Sequence, residues 1–166
     1  MAPETVGGPG IGDPAPGFDL PNQYGEQISL DGLAGRSVVL VFYPFAFSRV
    51  CSGELSSLAK LQPAFADAGA ALLAVSCDAK YSLRAWAMGQ GWSFDLLSDF
   101  WPHGAVARRY GVFDERRGLA TRSSFFIGPE GTVQHILRSS INTPRDPDDY
   151  LLALEGISVA GGSRND

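Results

Sequence analysis

Cysteine is scarce in this chain: Cys51 and Cys77 are the only two among 166 residues. Two thiols do not make a disulfide scaffold, so the fold must rest on a hydrophobic core. Histidine is as rare, with only His103 and His135. These few thiols and imidazoles have no metal-ligand spacing, which argues against a zinc site. No block of Lys or Arg stands out and the formal net charge is -5. Nucleic acid and anionic membrane surfaces are therefore poor partners. No apolar run is long enough to cross a bilayer. Residues 1–10 lack a basic start and an apolar stretch, so no secretory signal is read there. A reducing cytoplasm is the expected compartment.

What is present suffices for one domain. Apolar residues make up 45% of the chain, enough for a sizeable core. Residues 1–11, rich in Gly and Pro and without periodicity, read as a disordered tail, residues 12–155 as the folded domain, and residues 156–166 as a flexible tail. Phe18 and Leu20 alternate with Asp19, and Ile28 and Leu30 with their neighbours, around the turn residues Asn22-Gln23-Tyr24-Gly25. That pattern predicts an N-terminal hairpin. Residues 37–43 form a β-branched and aromatic run, as in a parallel strand covered on both faces. Val50, Leu55, Leu58, Leu61 and Phe65 recur at helical spacing, with Ser48 or Ser52 as the cap and Pro63 as a kink or end.

Residues 70–77 and 94–97 read as strands, and residues 82–90 and 105–110 as helices. Gly128-Pro129-Glu130-Gly131 separates two apolar runs, as in a hairpin. Residues 139–146 read as a loop, and Pro147 opens a last helix to about Leu154. The order predicts an α/β fold, a central mixed β-sheet with helices on both faces. Sites in such sheets form beyond the carboxyl ends of the parallel strands, where residues 44–51 fall.

Cys51 sits where a strand passes into a helix. Unpaired backbone N–H groups and the helix dipole there favour a thiolate, the nucleophilic form of cysteine. Arg49 adds positive charge, Ser48 can donate and accept hydrogen bonds, and Pro44 stiffens the loop. Phe42, Phe45 and Phe47 are expected to make the surroundings apolar. The alternative is a small buried hydrophobe. Ser48 and Glu54 occupy the positions that a Cys-x-x-Cys motif would need, which disfavours a dithiol reductase. A Cys–His hydrolase with His103 or His135 stays open.

These residues resemble a known family. Pro44, Ser48 and Cys51 form Pro-x-x-x-Ser/Thr-x-x-Cys, similar to the active-site signature of the peroxiredoxins. Ala15-Pro16-Gly17-Phe18-Asp19-Leu20, Val41-Phe42-Tyr43-Pro44, Ala74-Val75-Ser76 and the Arg122 strand resemble further family segments. Residues 97–106 and Tyr110-Gly111-Val112-Phe113 resemble the AhpE-type one-cysteine members. The resemblance implies a thioredoxin-like fold and a thiol peroxidase without metal, haem, flavin or other cofactor. It implies Cys51 as the peroxidatic thiol, Ser48 as the orienting hydroxyl, Arg122 as the stabilising cation and Pro44 as the shield. Glu54 is expected to orient Arg122, and Trp101 to line the pocket or a dimer contact.

Substrates implied are hydrogen peroxide, organic hydroperoxides and peroxynitrite. The implied reductant is an external thiol or redoxin, either mycothiol with a mycoredoxin or a thioredoxin, and the implied assembly is a homodimer. Cys77 is not supplied by the AhpE-type resemblance. It ends a strand expected beside that of residues 37–43, so a resolving role through a Cys51–Cys77 disulfide is weighed against a buried small residue. A peroxide sensor or chaperone-like binding protein on the same fold is the rival from another class.

Overall fold

The computed structural model describes residues 7–162, with side chains through residue 157. β1 (Asp19–Pro21) and β2 (Gln27–Ser29) form the expected hairpin, with Leu20 opposite Ile28. Its turn is held by the Asn22 side chain, whose Oδ1 accepts from the backbone N–H of Tyr24 and Glu26. A 3-10 turn (Asp31–Leu33) leads into β3 (Ser37–Phe42), in which every residue is buried. Next come α1 (Arg49–Lys60), α2 (Gln62–Asp67), β4 (Ala70–Ser76), α3 (Lys80–Gln90), β5 (Asp95–Ser98) and α4 (Ala105–Arg109). A small hairpin of β6 (Phe113–Asp114) and β7 (Leu119–Ala120) precedes β8 (Arg122–Ile127), β9 (Val133–Ser139) and α5 (Pro147–Gly162).

The main sheet has the order β5-β4-β3-β8-β9. β3, β4 and β5 run parallel, while β8 is antiparallel to both β3 and β9. Alternation along β3 divides the core between two faces. Val39, Val41 and Tyr43 pack with Cys51, Leu55 and Leu58 of α1, Phe65 of α2, Leu83 and Trp86 of α3, and Tyr150 and Leu154 of α5. Val38, Leu40 and Phe42 pack on the other face with Phe18, Leu20, Val106, Tyr110 and Phe125. Helices thus cover both faces, α4 alone on the second.

Several boundaries differ from the sequence expectation. The helical segment after Cys51 breaks at Leu61, and Pro63 lies in the first turn of α2. Proline fits there because the first-turn N–H groups have no intrahelical acceptor. The last helix continues past Leu154 to Gly162. Gly156 does not stop it, since an interior glycine costs only about 1 kcal/mol relative to alanine. Buried Tyr150, Leu154 and Ile157 carry one face of the helix across that glycine. The β6–β7 hairpin was not expected, being too short for a periodic signal.

Met1–Val6 of the expected N-terminal tail and Ser163–Asp166 of the C-terminal one lie outside the described residues. Gly12 N donates to Val133 O at 2.8 Å and Ala15 N to Gly131 O at 2.8 Å, so this stretch follows the β8–β9 turn. Gly8 approaches the Tyr110–Gly111 backbone so closely that a Cβ would collide with it. No helix among the described residues is long and apolar enough to cross a membrane.

Candidate active site

The loop after β3 is held at both ends. Tyr43 N donates to Val75 O at 3.0 Å, continuing the β3–β4 ladder. Ala46 N donates to Asp78 Oδ2 at 2.7 Å, and Ser76 Oγ donates to the same oxygen at 2.7 Å. Pro44 is buried between these anchors. Phe47 then turns the chain with φ of 69°, a left-handed conformation uncommon for an aromatic residue. Ser48 is the N-cap of α1, its Oγ accepting from Cys51 N at 3.1 Å. Such a cap stabilises a helix by about 1 kcal/mol. It also fixes the backbone from which the thiol projects.

Cys51, Glu54, Leu55 and Leu58 are all buried, at positions i, i+3, i+4 and i+7 of α1. That spacing carries the Glu54 carboxylate into the protein beside the thiol. Arg122 reaches it from β8, with Ser124 two residues on and so on the same face of the strand. Arg122 Nη2 donates to Cys51 Sγ at 3.2 Å and Nη1 to Glu54 Oε1 at 2.8 Å, while Nε donates to Ile141 O at 2.8 Å.

A second arginine, from the loop before α5, completes the cluster. Arg145 Nη2 donates to Glu54 Oε1 at 2.7 Å, and its Nε and backbone N donate to Oε2 at 2.8 Å and 2.6 Å. Glu54 therefore accepts four hydrogen bonds, the capacity of a carboxylate. Burial alone would raise the Glu54 carboxyl; hydrogen bonds and charge from Arg145, then charge from Arg122, outweigh it and hold the group below the usual carboxylate range. Arg122, Glu54 and Arg145 are 2%, 3% and 4% exposed. Two guanidiniums against one carboxylate leave a buried positive charge, which a Cys51 thiolate would balance. An unbalanced buried charge costs several kcal/mol.

Other expected residues stand apart. Phe42 belongs to the opposite face of the sheet, because β3 alternates; the aromatic on the Cys51 side is Tyr43, whose buried hydroxyl has no hydrogen-bond partner among the described residues. Phe45 and Phe47 are 48% and 61% exposed and so form a rim rather than a lining, with Phe47 against Trp86. Arg49 is exposed. Trp101 is 81% exposed, beside a groove formed with Phe18, Leu20 and Arg109 rather than in the Cys51 cluster. His103 bonds Gly118 O at 2.7 Å and His135 packs on Phe126. No group of three or more His, Cys, Asp or Glu gathers as metal ligands among the described residues.

Cys77 follows β4 and is buried but lies outside the Cys51 core cluster, and both thiols are free. Burial, then Asp99 and Asp78, push the Cys77 thiol up to about 12. Sequence reasoning missed Arg145, Ser124 and Asp78. Arg145 had one signal: a carboxylate on the buried face of α1 needs more donors than one arginine supplies. A lone arginine in a loop between Pro144 and Pro147 otherwise reads as solvated.

Residues 11–136 match the model of the AhpC/TSA family. The chain is 42% identical over 150 residues to alkyl hydroperoxide reductase E of Mycobacterium tuberculosis, covering 90% of this chain and 98% of that protein. Its structure resembles the crystal structure of Enterococcus faecalis AhpC, with TM-score 0.84 and 26% identity over 94% of this chain and 96% of that one. It also resembles reduced Plasmodium vivax 2-Cys peroxiredoxin, with TM-score 0.82 and 27% identity over 92% and 83% of the two chains. The chain belongs to the AhpC/TSA family, the peroxiredoxins, and is a thiol-dependent peroxidase.

Proposed function

We propose that Cys51 is the peroxidatic thiol and that an external thiol, not Cys77, restores it. The observation that carries this is the 3.2 Å contact from Arg122 Nη2 to Cys51 Sγ, with Arg122 fixed by Glu54 and Ile141 O. The Cys51 thiolate attacks the terminal oxygen of a peroxide, forming an S–O bond as the O–O bond breaks. The leaving oxygen departs as alkoxide or hydroxide and is protonated to alcohol or water, or leaves as nitrite when the substrate is peroxynitrite, and the sulfur becomes a sulfenic acid. A second thiol condenses with the sulfenic acid, releasing water and forming a mixed disulfide. Further thiol then regenerates Cys51.

Arg122 has five N–H groups and three are engaged here, which leaves two for the charge that develops on the peroxide oxygens. The Ser48 hydroxyl hydrogen is free to orient the peroxide, because its oxygen acts as acceptor in the cap. Pro44 shields the loop side. Hydrogen peroxide, organic hydroperoxides and peroxynitrite are the substrates of this reading. Mycothiol with a mycoredoxin, or a thioredoxin, is the reductant, in a cytoplasmic homodimer that uses the exposed Trp101 loop as a contact. The catalytic domain of this reading spans residues 12–155, with α5 continuing beyond it and packing back through Ile157.

Stopped-flow mixing with hydrogen peroxide tests the assignment: Cys51→Ser should lose the fast phase. Peptide mapping without reductant, after one equivalent of peroxide, should find no Cys51–Cys77 linkage. Finding that linkage would establish an internal disulfide instead. Turnover with a panel of thiols and redoxins identifies the reductant.

A further inference from the structure

The Cys51 cluster does not end at Arg145. Arg145 Nη1 donates to Ser124 Oγ at 2.9 Å, and that oxygen lies 2.6 Å from the Tyr150 hydroxyl. Tyr150 stands in the first turns of α5 and is 1% exposed. Its ring packs on Phe65 and Phe126, with centroids 6.4 Å and 5.8 Å away. A phenylalanine would make the same ring contacts, so packing does not account for the hydroxyl. Among the described residues, the hydrogen bond of that hydroxyl leads to Ser124, which accepts from Arg145.

We propose that Tyr150 is a positioning residue of the peroxide site. Through Ser124 it fixes the Arg145 guanidinium, Arg145 fixes both oxygens of Glu54, and Glu54 fixes Arg122 against the Cys51 sulfur. The proposal rests on Cys51 being the reacting thiol. It makes α5 part of the catalytic frame: four consecutive hydrogen-bonded links join the helix to the arginine that faces the sulfur. Preorganised donors lose efficiency steeply when their aim loosens, because they stabilise charge only where it develops.

Tyr150→Phe keeps the ring and removes the link. The second-order rate constant of Cys51 with hydrogen peroxide should fall about 5–10-fold, the loss expected from one misaligned hydrogen bond. Alkylation of Cys51 by iodoacetamide, which needs no aligned arginine at a leaving oxygen, should fall less, so the peroxide-to-alkylation ratio drops. Ser124→Ala cuts the same link from the sheet side and should give the same ratio. The double variant should be no slower than the slower single one.

Tyr110→Phe is the control. Its hydroxyl donates to Pro16 O at 2.7 Å on the opposite face of the sheet, so it loses a comparable hydrogen bond and should keep the wild-type ratio. A wild-type ratio in both Tyr150→Phe and Ser124→Ala, an equal drop in Tyr110→Phe, or additive losses in the double variant would overturn the proposal. Should Tyr150→Phe not fold, Ser124→Ala decides alone. Failure of the underlying reading looks different: Cys51→Ser would then react with peroxide as fast as wild type.

Discussion

Cys51 and Cys77 follow the carboxyl ends of neighbouring parallel strands, yet their surroundings carry opposite charge. Cys51 lies in the first turn of α1, where helix N–H groups point outward, and Arg122 donates to its sulfur with Arg145 close behind. Cys77 precedes α3 by three residues instead of lying inside a helix, and burial, then the charges of Asp99 and Asp78, push its thiol up to about 12. Both are buried. Burial is common to the two; what differs is the sign of the charge placed nearby.

The most severe break in this comparison is Cys51→Ser, which should slow peroxide reduction by more than about 10³-fold, since it removes the proposed nucleophile. Next is Arg122→Lys, which keeps the charge but not the fork that meets Cys51, Glu54 and Ile141 O together. Stopped-flow assays should show a loss of about 10²–10³-fold, the scale for removing one aimed donor.

Glu54→Gln leaves two buried guanidiniums facing a neutral amide. Urea unfolding should find it less stable by about 3–5 kcal/mol. The same carboxylate makes the wild type acid-sensitive. Its folded pKa lies below the ordinary glutamate value of 4.5, so its contribution to stability is complete above that value and is lost as the pH falls through the lower folded value. Unfolding free energies measured from pH 6 to pH 3 should decline in wild type, and more shallowly in Glu54→Gln.

Ser48→Ala removes the α1 cap and should cost about 1 kcal/mol in the same unfolding assay. The smallest effect belongs to Cys77→Ser, expected to keep the peroxide rate within about twofold because a protonated thiol takes no part. Iodoacetamide at pH 8 sharpens the comparison at no structural cost. Mass spectrometry should find native protein labelled at Cys51 and spared at Cys77, with both labelled in urea. Labelling of Cys77 in the native protein would remove the contrast.

Much of the frame was legible because local patterns recorded it. The β-branched run before Pro44, the Ser48 cap, the helical spacing after Cys51 and the turn at Gly128-Pro129 each state a local backbone preference. Ser48, Cys51 and Glu54 are spaced three residues apart, each within one helical turn of the next, so the proximity of neighbours followed from spacing alone. Arg122 came from the family resemblance. Phe42 was misplaced because a strand buried on both faces gives no hydropathy signal of which side each residue takes. Gly156 misled in the same way, since burial of Tyr150, Leu154 and Ile157 outweighs a weak helix former.

By itself, then, the sequence determined where a thiol would meet a helix start and what kind of sheet would hold it, since strand, cap and helix preferences act between residues near in the chain. The charge around that thiol was decided only in three dimensions. Arg122 and Arg145 lie 68 and 91 residues beyond Glu54, and no periodicity spans such separations. Pairing of β3 with β8 and docking of the loop before α5 bring both onto one carboxylate. The difference in charge around Cys51 and Cys77 follows from where the folded chain places its arginines and aspartates, because a buried sulfur responds to the charges that surround it in space.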